Sequence, residues 1–330
     1  MTTLNTDAER SCPRPVRRPR VGLALGSGSA RGWSHVGVIR ALEQAGIRPD
    51  LVCGTSIGAL VAAAYAAGEL ERFEEWVLAL SVKDVIGFMD LSLASGLFKG
   101  ERLMSHLRRH WTDRPIEGLA LPFAAVATSL HDGSEIWLRH GSTLDAVRAS
   151  IALPGLFSPV LSEGRVLVDG GLVNPVPVSV ARAMGADIVI AVDLGSDILG
   201  RHLGAGPPPE ALGGIVSEWM KKLHDTLGLP ASVQPVDGPS IPSIFEVLAS
   251  SIDIMQVRVA RSRMAGDPPE MIVAPRLAHL RMLDFHRAKE AIQEGRSAME
   301  RVAHTLALLN EQASCRAVRD SDKHPGGIET

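Results

Sequence analysis

The sequence predicts an α/β protein, a three-layer α/β/α fold built round a mostly parallel central sheet. Three observations predict it. Short β-rich apolar runs alternate with stretches of helical periodicity, the pattern of strands joined by crossover helices. The run at 57–67 is apolar nearly all round, as expected of a helix buried at the centre of a domain. With 330 residues, 45% of them hydrophobic, the chain is long enough to bury a sizeable core.

The elements follow in order. A strand at 21–25 runs into the glycine-rich stretch Gly26-Ser27-Gly28-Ser29-Ala30-Arg31-Gly32. A helix at 33–44 follows, with Gly46 suited to end it in the left-handed conformation. A short strand at 51–53 leads through Gly54-Thr55-Ser56-Ile57-Gly58 into the apolar helix, which stops at Gly68. Further strands are predicted at 123–128, 135–138, 166–168 and 188–192. Between 199 and 242 the composition shifts, with glycine- and proline-rich pieces around a helical segment at 210–227. This reads as an insertion, either a surface excursion packed by Trp219, Leu223 and Leu227 or a cap facing the substrate. Helices at 244–260 and 284–309 complete the domain, which spans 21–310. Residues 1–20 and 311–330 read as disordered tails, and no internal repeat is visible.

Composition excludes several function classes. A formal net charge of -3 and a pI near 6.4, with no basic stripe in the body of the chain, speak against nucleic acid as a partner. Cys12, Cys53 and Cys315 are too scattered for a disulfide framework or a metal site, which suits a reducing cytoplasm. Cys53 reads as a small buried core residue. The first 20 residues hold Arg10, Arg14, Arg17, Arg18 and Arg20 but no apolar signal segment. The alternative for them is contact with an anionic membrane surface, where each basic residue contributes on the order of 1 kcal/mol. No apolar run approaches the roughly 20 residues of a bilayer span, so the expected location is cytoplasmic or peripheral at the inner membrane face.

The chemistry lies in three stretches. Gly54-Thr55-Ser56-Ile57-Gly58 has the G-x-S-x-G form of a nucleophile elbow, in which a strand turns sharply into a helix and lifts a serine hydroxyl clear. Asp169-Gly170-Gly171 offers a carboxylate on a glycine turn, from which it can take the proton of Ser56. The loop at 26–32 exposes backbone N–H groups at a strand-to-helix turn, where unpaired donors and the helix dipole favour negative charge. Nucleophile, base and oxyanion hole are the parts that acyl transfer needs. A dinucleotide fingerprint is the competing reading of that loop, but Arg31 stands where its third glycine belongs and no acidic residue closes the following strand. A P-loop lacks its Gly-Lys-Ser/Thr ending.

A serine hydrolase usually recruits a histidine. Those after Asp169 lie in the insertion (His202, His224), in the C-terminal part (His279, His286, His304) or in the tail (His324), none on an evident strand-end loop. His35 reads as a packed, hydrogen-bonded residue, and Arg31 as a brace for its loop or a support for an anionic headgroup.

Taken together, the loop with Arg31-Gly32 and His35-Val36-Gly37, the elbow, the run Ala149-Ser150-Ile151-Ala152-Leu153-Pro154-Gly155-Leu156-Phe157-Ser158-Pro159, and Asp169-Gly170-Gly171 with Asn174-Pro175-Val176-Pro177 resemble the bacterial patatin-like phospholipases, in the branch related to neuropathy target esterase. The resemblance runs from about 21 to 309. It implies a Ser-Asp dyad without a catalytic histidine: Ser56 as nucleophile, Asp169 as general base, and an oxyanion hole over Gly28, Ser29, Arg31 and Gly32 in which Gly28 and Ser29 offer the N–H groups. Gly54, Gly58, Gly170 and Gly171 support the two motifs. The family loop has three consecutive glycines, and here Ser27 and Ser29 replace two of them, so a positive φ there would strain serine. The implied activity is hydrolysis of phospholipid, lysophospholipid or simpler carboxylic esters through an acyl-enzyme, with no cofactor, metal or calcium. The apolar piece at 85–97 and the insertion would line an acyl channel or be ordinary packing. A non-catalytic lipid-binding or scaffold protein on the same fold is the alternative.

Overall fold

In the computed structural model, which describes residues 18–88, 100–198 and 244–303, an eight-stranded sheet forms the middle layer. Five strands run parallel in the order β3 (Phe123–Ser129), β2 (Leu51–Thr55), β1 (Val21–Leu25), β7 (Ile188–Val192) and β8 (Met271–Val273). β4 (Glu135–Leu138), β5 (Val160–Ser162) and β6 (Arg165–Asp169) extend it with antiparallel pairings. The expected α/β/α layering with a mostly parallel sheet is therefore what the chain adopts.

Alternation along the strands sorts the core onto two faces, since successive side chains point to opposite sides. Leu23, Leu25, Val52, Phe123 and Ile190 face α1 (Ser34–Gln44), α2 (Ile57–Ala66), α3 (Leu70–Ala79), α5 (Glu101–His110), α6 (Thr143–Ser150) and α9 (Ala288–Arg301). Phe88, at the end of α4 (Val82–Phe88), packs against the same cluster. Ala24, Cys53, Ala124 and Ala191 face the other way, where Val178, Val180 and Ala181 of α7 (Val178–Ala183) and Ala260 of α8 (Ile244–Gly266) cover them. Small side chains on that face let the short α7 lie close to the sheet. α2 is buried along almost its whole length, as its uniform apolarity requires.

β3 changes partner along its length, and this positions the site. β2 runs beside Phe123 to Val126, ending with Thr55 opposite Val126. β6 runs the other way beside Ser129 to Ala127, ending with Asp169 opposite Ala127. Because β4 pairs with Ala125 to Thr128 and a strand has only two edges, β2 and β6 share the other edge of β3 and meet there end to end. The residues that follow β2 and end β6, Ser56 and Asp169, are 113 apart in sequence and adjacent in space.

Two strands escaped the sequence pattern. β8 is three residues between Pro269 and Pro275 and is a strand by its pairing with β7. β5 is also three residues long, and its hairpin with β6 closes through Glu163 and Gly164, both at positive φ (49° and 76°), the conformation of a type I′ turn. At the C-terminal end a 3-10 turn at Phe285–Arg287 precedes α9, and α8 continues past residue 260 to Gly266. Residues 18–20, read from sequence as tail, are held by the body: Arg18 pairs with Asp50 and the Arg20 N–H donates to Asp187. The insertion at 199–242, the rest of both tails and positions 89–97 of the apolar piece lie outside the described residues.

Candidate active site

Ser56 stands at the junction of β2 and α2 with φ 58° and ψ −125°, a conformation that costs a non-glycine residue on the order of 1–3 kcal/mol and persists only where the surroundings impose it. The surroundings here are tight. A Cβ on Gly58 would meet the carbonyl of Leu25, so only glycine lets the first turn of α2 press against β1. Ser56 is the N-cap of α2, where the positive end of the helix dipole favours negative charge.

Asp169 completes the pair. The Ser56 Oγ–H donates to Asp169 Oδ2 at 2.5 Å, and the Gly171 N–H donates to Oδ1 at 2.7 Å. Thr128 Oγ1 donates to the Asp169 main-chain oxygen. Gly170 lies so close to the Val126 carbonyl that a Cβ would collide with it, which makes glycine obligatory at the turn. Asp169 is fully buried, and burial pushes its carboxyl up to about 6, against the opposing effect of the Ser56 and Gly171 hydrogen bonds. A carboxylate of raised pKa is a better proton acceptor than one near 4 and remains ionised at neutral pH.

In the loop after β1, the N–H groups of Gly26, Ser27, Ala30 and Arg31 are bonded to Val192, Pro175, Met282 and Gly28 carbonyls respectively. Among the described residues, Gly28 and Ser29 alone in 26–31 show no such backbone bond, as befits the start of the 3-10 turn at Ser29–Trp33. Ser29 adopts φ 50°, so the loop keeps a left-handed bend at one of the two positions where serine replaces glycine. Ser27 does not require it. Arg31 is buried and bound through Nε to the Gly28 carbonyl and through Nη2 to Asp253, and Gly32 packs against Ile57.

A pocket with about 800 Å³ of empty space, its open mouth included, lies against Ser56 and Ser29. Apart from these two serines its lining is apolar or aromatic: Ile57 and Leu60 of α2, Trp33 and Trp76, Val85 and Phe88 of α4, Leu103 of α5, Ile151, Leu153, Leu156 and Phe157 after α6, and Leu283 and Phe285. The start of the 85–97 piece therefore does line a chamber.

Among the described residues the candidate histidines have other partners than Ser56 and Asp169. His35 is buried with Nε2 on the Gly26 carbonyl, and burial lowers its pKa to about 4, so the ring is neutral. His279 is exposed and pairs with Glu290. Among the described residues no histidine hydrogen-bonds to Ser56 or Asp169, and no metal-ligand cluster is present. Burial pushes the Cys53 thiol well above its ordinary range, consistent with a core role. One contact was not anticipated: the Ser56 N–H donates to Ser150 Oγ at 2.9 Å.

The fold, the elbow and the loop-borne aspartate define the class. This chain belongs to the patatin-like phospholipase family, a family of lipid hydrolases whose model matches residues 23–182. Within it the chain is similar to NTE family proteins. One from Mycobacterium tuberculosis is 31% identical over 351 residues, covering 91% of this chain and 96% of that protein. Human patatin-like phospholipase domain-containing protein 6 is 39% identical over 185 residues, covering 53% of this chain and 13% of that protein. Among solved structures, VipD from Legionella pneumophila gives a TM-score of 0.43 at 14% identity, over 89% of this chain and 67% of that one.

Proposed function

We propose that this protein is a calcium-independent serine hydrolase of lipid carboxylic esters, phospholipid or lysophospholipid among them, working through an acyl-enzyme on Ser56. The observation that carries this reading is the 2.5 Å bond from Ser56 Oγ to the buried Asp169 carboxylate, with Ser56 on the wall of an apolar chamber. The acyl chain lies in the chamber and the ester carbonyl rests at Ser56. Asp169 Oδ2 takes the hydroxyl proton as Oγ bonds to the carbonyl carbon. The N–H groups of Gly28 and Ser29 receive the oxyanion, while Arg31 and Gly32 shape the loop that presents them. Collapse of the tetrahedral intermediate breaks the ester C–O bond, and the alcohol leaves with the proton from Asp169. Water then attacks the acyl-enzyme, giving its proton to Asp169. Release of the fatty acid returns that proton to Ser56, so the net reaction is ester plus water to acid plus alcohol.

Among the described residues no helix is long and apolar enough to cross a membrane; the place of work we propose is the cytoplasm or the inner membrane face. The test is hydrolysis of a medium-chain p-nitrophenyl ester and of a lysophospholipid by wild type and Ser56→Ala, with and without a chelator. Activity lost in the variant and indifferent to the chelator supports the reading. A folded wild type that binds fatty acid and hydrolyses neither substrate would replace it with a lipid-binding protein.

A further inference from the structure

Ser150 ends α6 and is fully buried. Its hydroxyl accepts the Ser56 N–H at 2.9 Å and donates to the Val126 carbonyl at 2.6 Å. The register of β2 and β3 explains what this bond replaces. Val52 lies opposite Phe123 and its N–H bonds to the Pro122 carbonyl, one residue earlier. Continued in steps of two, the same ladder directs the Ser56 N–H to the Val126 carbonyl. Ser150 Oγ stands between those two groups. It prises the rung open where the chain leaves β3 for the elbow, and it satisfies both buried backbone groups that opening the rung would otherwise leave unpaired. Two residues on, the Ala152 carbonyl accepts the Asp169 N–H at 2.9 Å. One short segment at the end of α6, Ser150 to Ala152, thus holds the backbone of both Ser56 and Asp169, while Ile151 between them lines the chamber.

We infer that Ser150 is a positioning residue for the reaction, its hydroxyl fixing the Ser56 peptide, and with it the direction of Oγ, against β3 and Asp169. The inference rests on the reading of Ser56 as nucleophile. It predicts a loss in the chemical step and not in substrate binding, because Ser150 touches only the backbone of Ser56.

The experiment compares wild type, Ser56→Ala, Ser150→Ala and Ser150→Thr, each at a temperature well below its unfolding midpoint. The readouts are kcat and KM on a medium-chain p-nitrophenyl ester and the rate of covalent labelling by a fluorophosphonate. Ser150→Ala should lower kcat and the labelling rate by about 10- to 100-fold, the scale of a misplacement of about 1 Å, with KM within about twofold. Ser150→Thr, which keeps a hydroxyl, should recover most of the loss. Wild-type kcat in Ser150→Ala, a change confined to KM, or a folded Ser150→Thr as slow as the alanine variant would each overturn the assignment. Failure of the underlying reading is distinct from these outcomes, because wild type would then be neither active nor labelled.

Discussion

Ser56 and Ser29 are both serines held at positive φ, 58° and 50°, and both border the same chamber, yet the proposed mechanism uses them in opposite ways. In it the Ser56 side chain is the reagent. The strain of the elbow is compensated by the fit of α2 against β1 and by the contacts of the Ser56 N–H and Oγ. At Ser29 the reading uses only the backbone N–H, and the side chain is incidental to it. A positive φ in a motif therefore marks a place where the backbone must bend, and only the partners of the side chain distinguish a nucleophile from a bystander.

Substitution tests that contrast, and the largest effect falls on the reagent itself. Ser56→Ala should lower kcat/KM by at least about 1000-fold, the scale of losing a covalent nucleophile, while the protein stays folded. An activity within tenfold of wild type would end the distinction between the two serines.

Asp169→Asn comes next, with a loss of about 100-fold or more. Its pH behaviour is diagnostic. The raised folded-state value, about 6 against an ordinary 3.8, means that the wild-type rate should climb with pH through about 6 as the base ionises. The stability consequence has the opposite direction. The unfolded chain releases this proton near 4 and the folded chain only near 6, so wild-type stability declines between those values as pH rises. Asp169→Asn should escape that decline and be more stable than wild type at pH 7 by on the order of 1–3 kcal/mol, the difference fading by pH 4. Urea unfolding of both proteins at pH 4 and pH 7 checks it, and an asparagine variant less stable at pH 7 than wild type contradicts the assigned burial cost.

The chamber gives a smaller effect. Leu283→Trp should cut kcat/KM for a long-chain ester by about tenfold and leave an acetyl ester nearly unchanged. Equal losses on both would mean that the acyl chain lies elsewhere. Smallest is Ser29→Gly. Relief of backbone strain and the greater freedom of glycine in the unfolded chain oppose each other, so stability should move by no more than about 1 kcal/mol and the rate by no more than a few-fold. A large rate loss would show that the Ser29 hydroxyl takes part and that the two serines are more alike than the geometry suggests.

Much of the fold was legible in the chain because its signals are local. Alternating runs mark β1 to β4, β6 and β7, and the uniform apolarity of 57–66 announces a buried helix. The pairing of Ser56 with Asp169 was legible for a chemical reason: a strand-to-helix elbow needs glycine on either side of the serine, and a carboxylate on a tight turn needs Gly170 and Gly171 behind it. The rest depends on partners distant in sequence. β5 and β8 are defined by pairing with β6 and β7. The chamber takes its walls from segments as far apart as Trp33, Trp76, Phe157 and Phe285, none of which signals a cavity locally. Ser150 stands in one of the runs that carry the resemblance, with no role of its own attached, and only the meeting of β2 and β3 gives it two backbone partners.

The end-to-end meeting of β2 and β6 on one edge of β3 also limits how this chain can change length. Adding one residue within β6 would flip Asp169 to the opposite face of the sheet, because side chains alternate with every residue. Additions at the exposed Glu163-Gly164 turn would lengthen the hairpin tip and leave the spacing from Ala127 to Ser56 untouched. Growth of this protein by insertion is thus permitted at the tip of the β5–β6 hairpin and forbidden along its inner strand, so that the distance between Ser56 and Asp169 is preserved by a count of residues as well as by their identity.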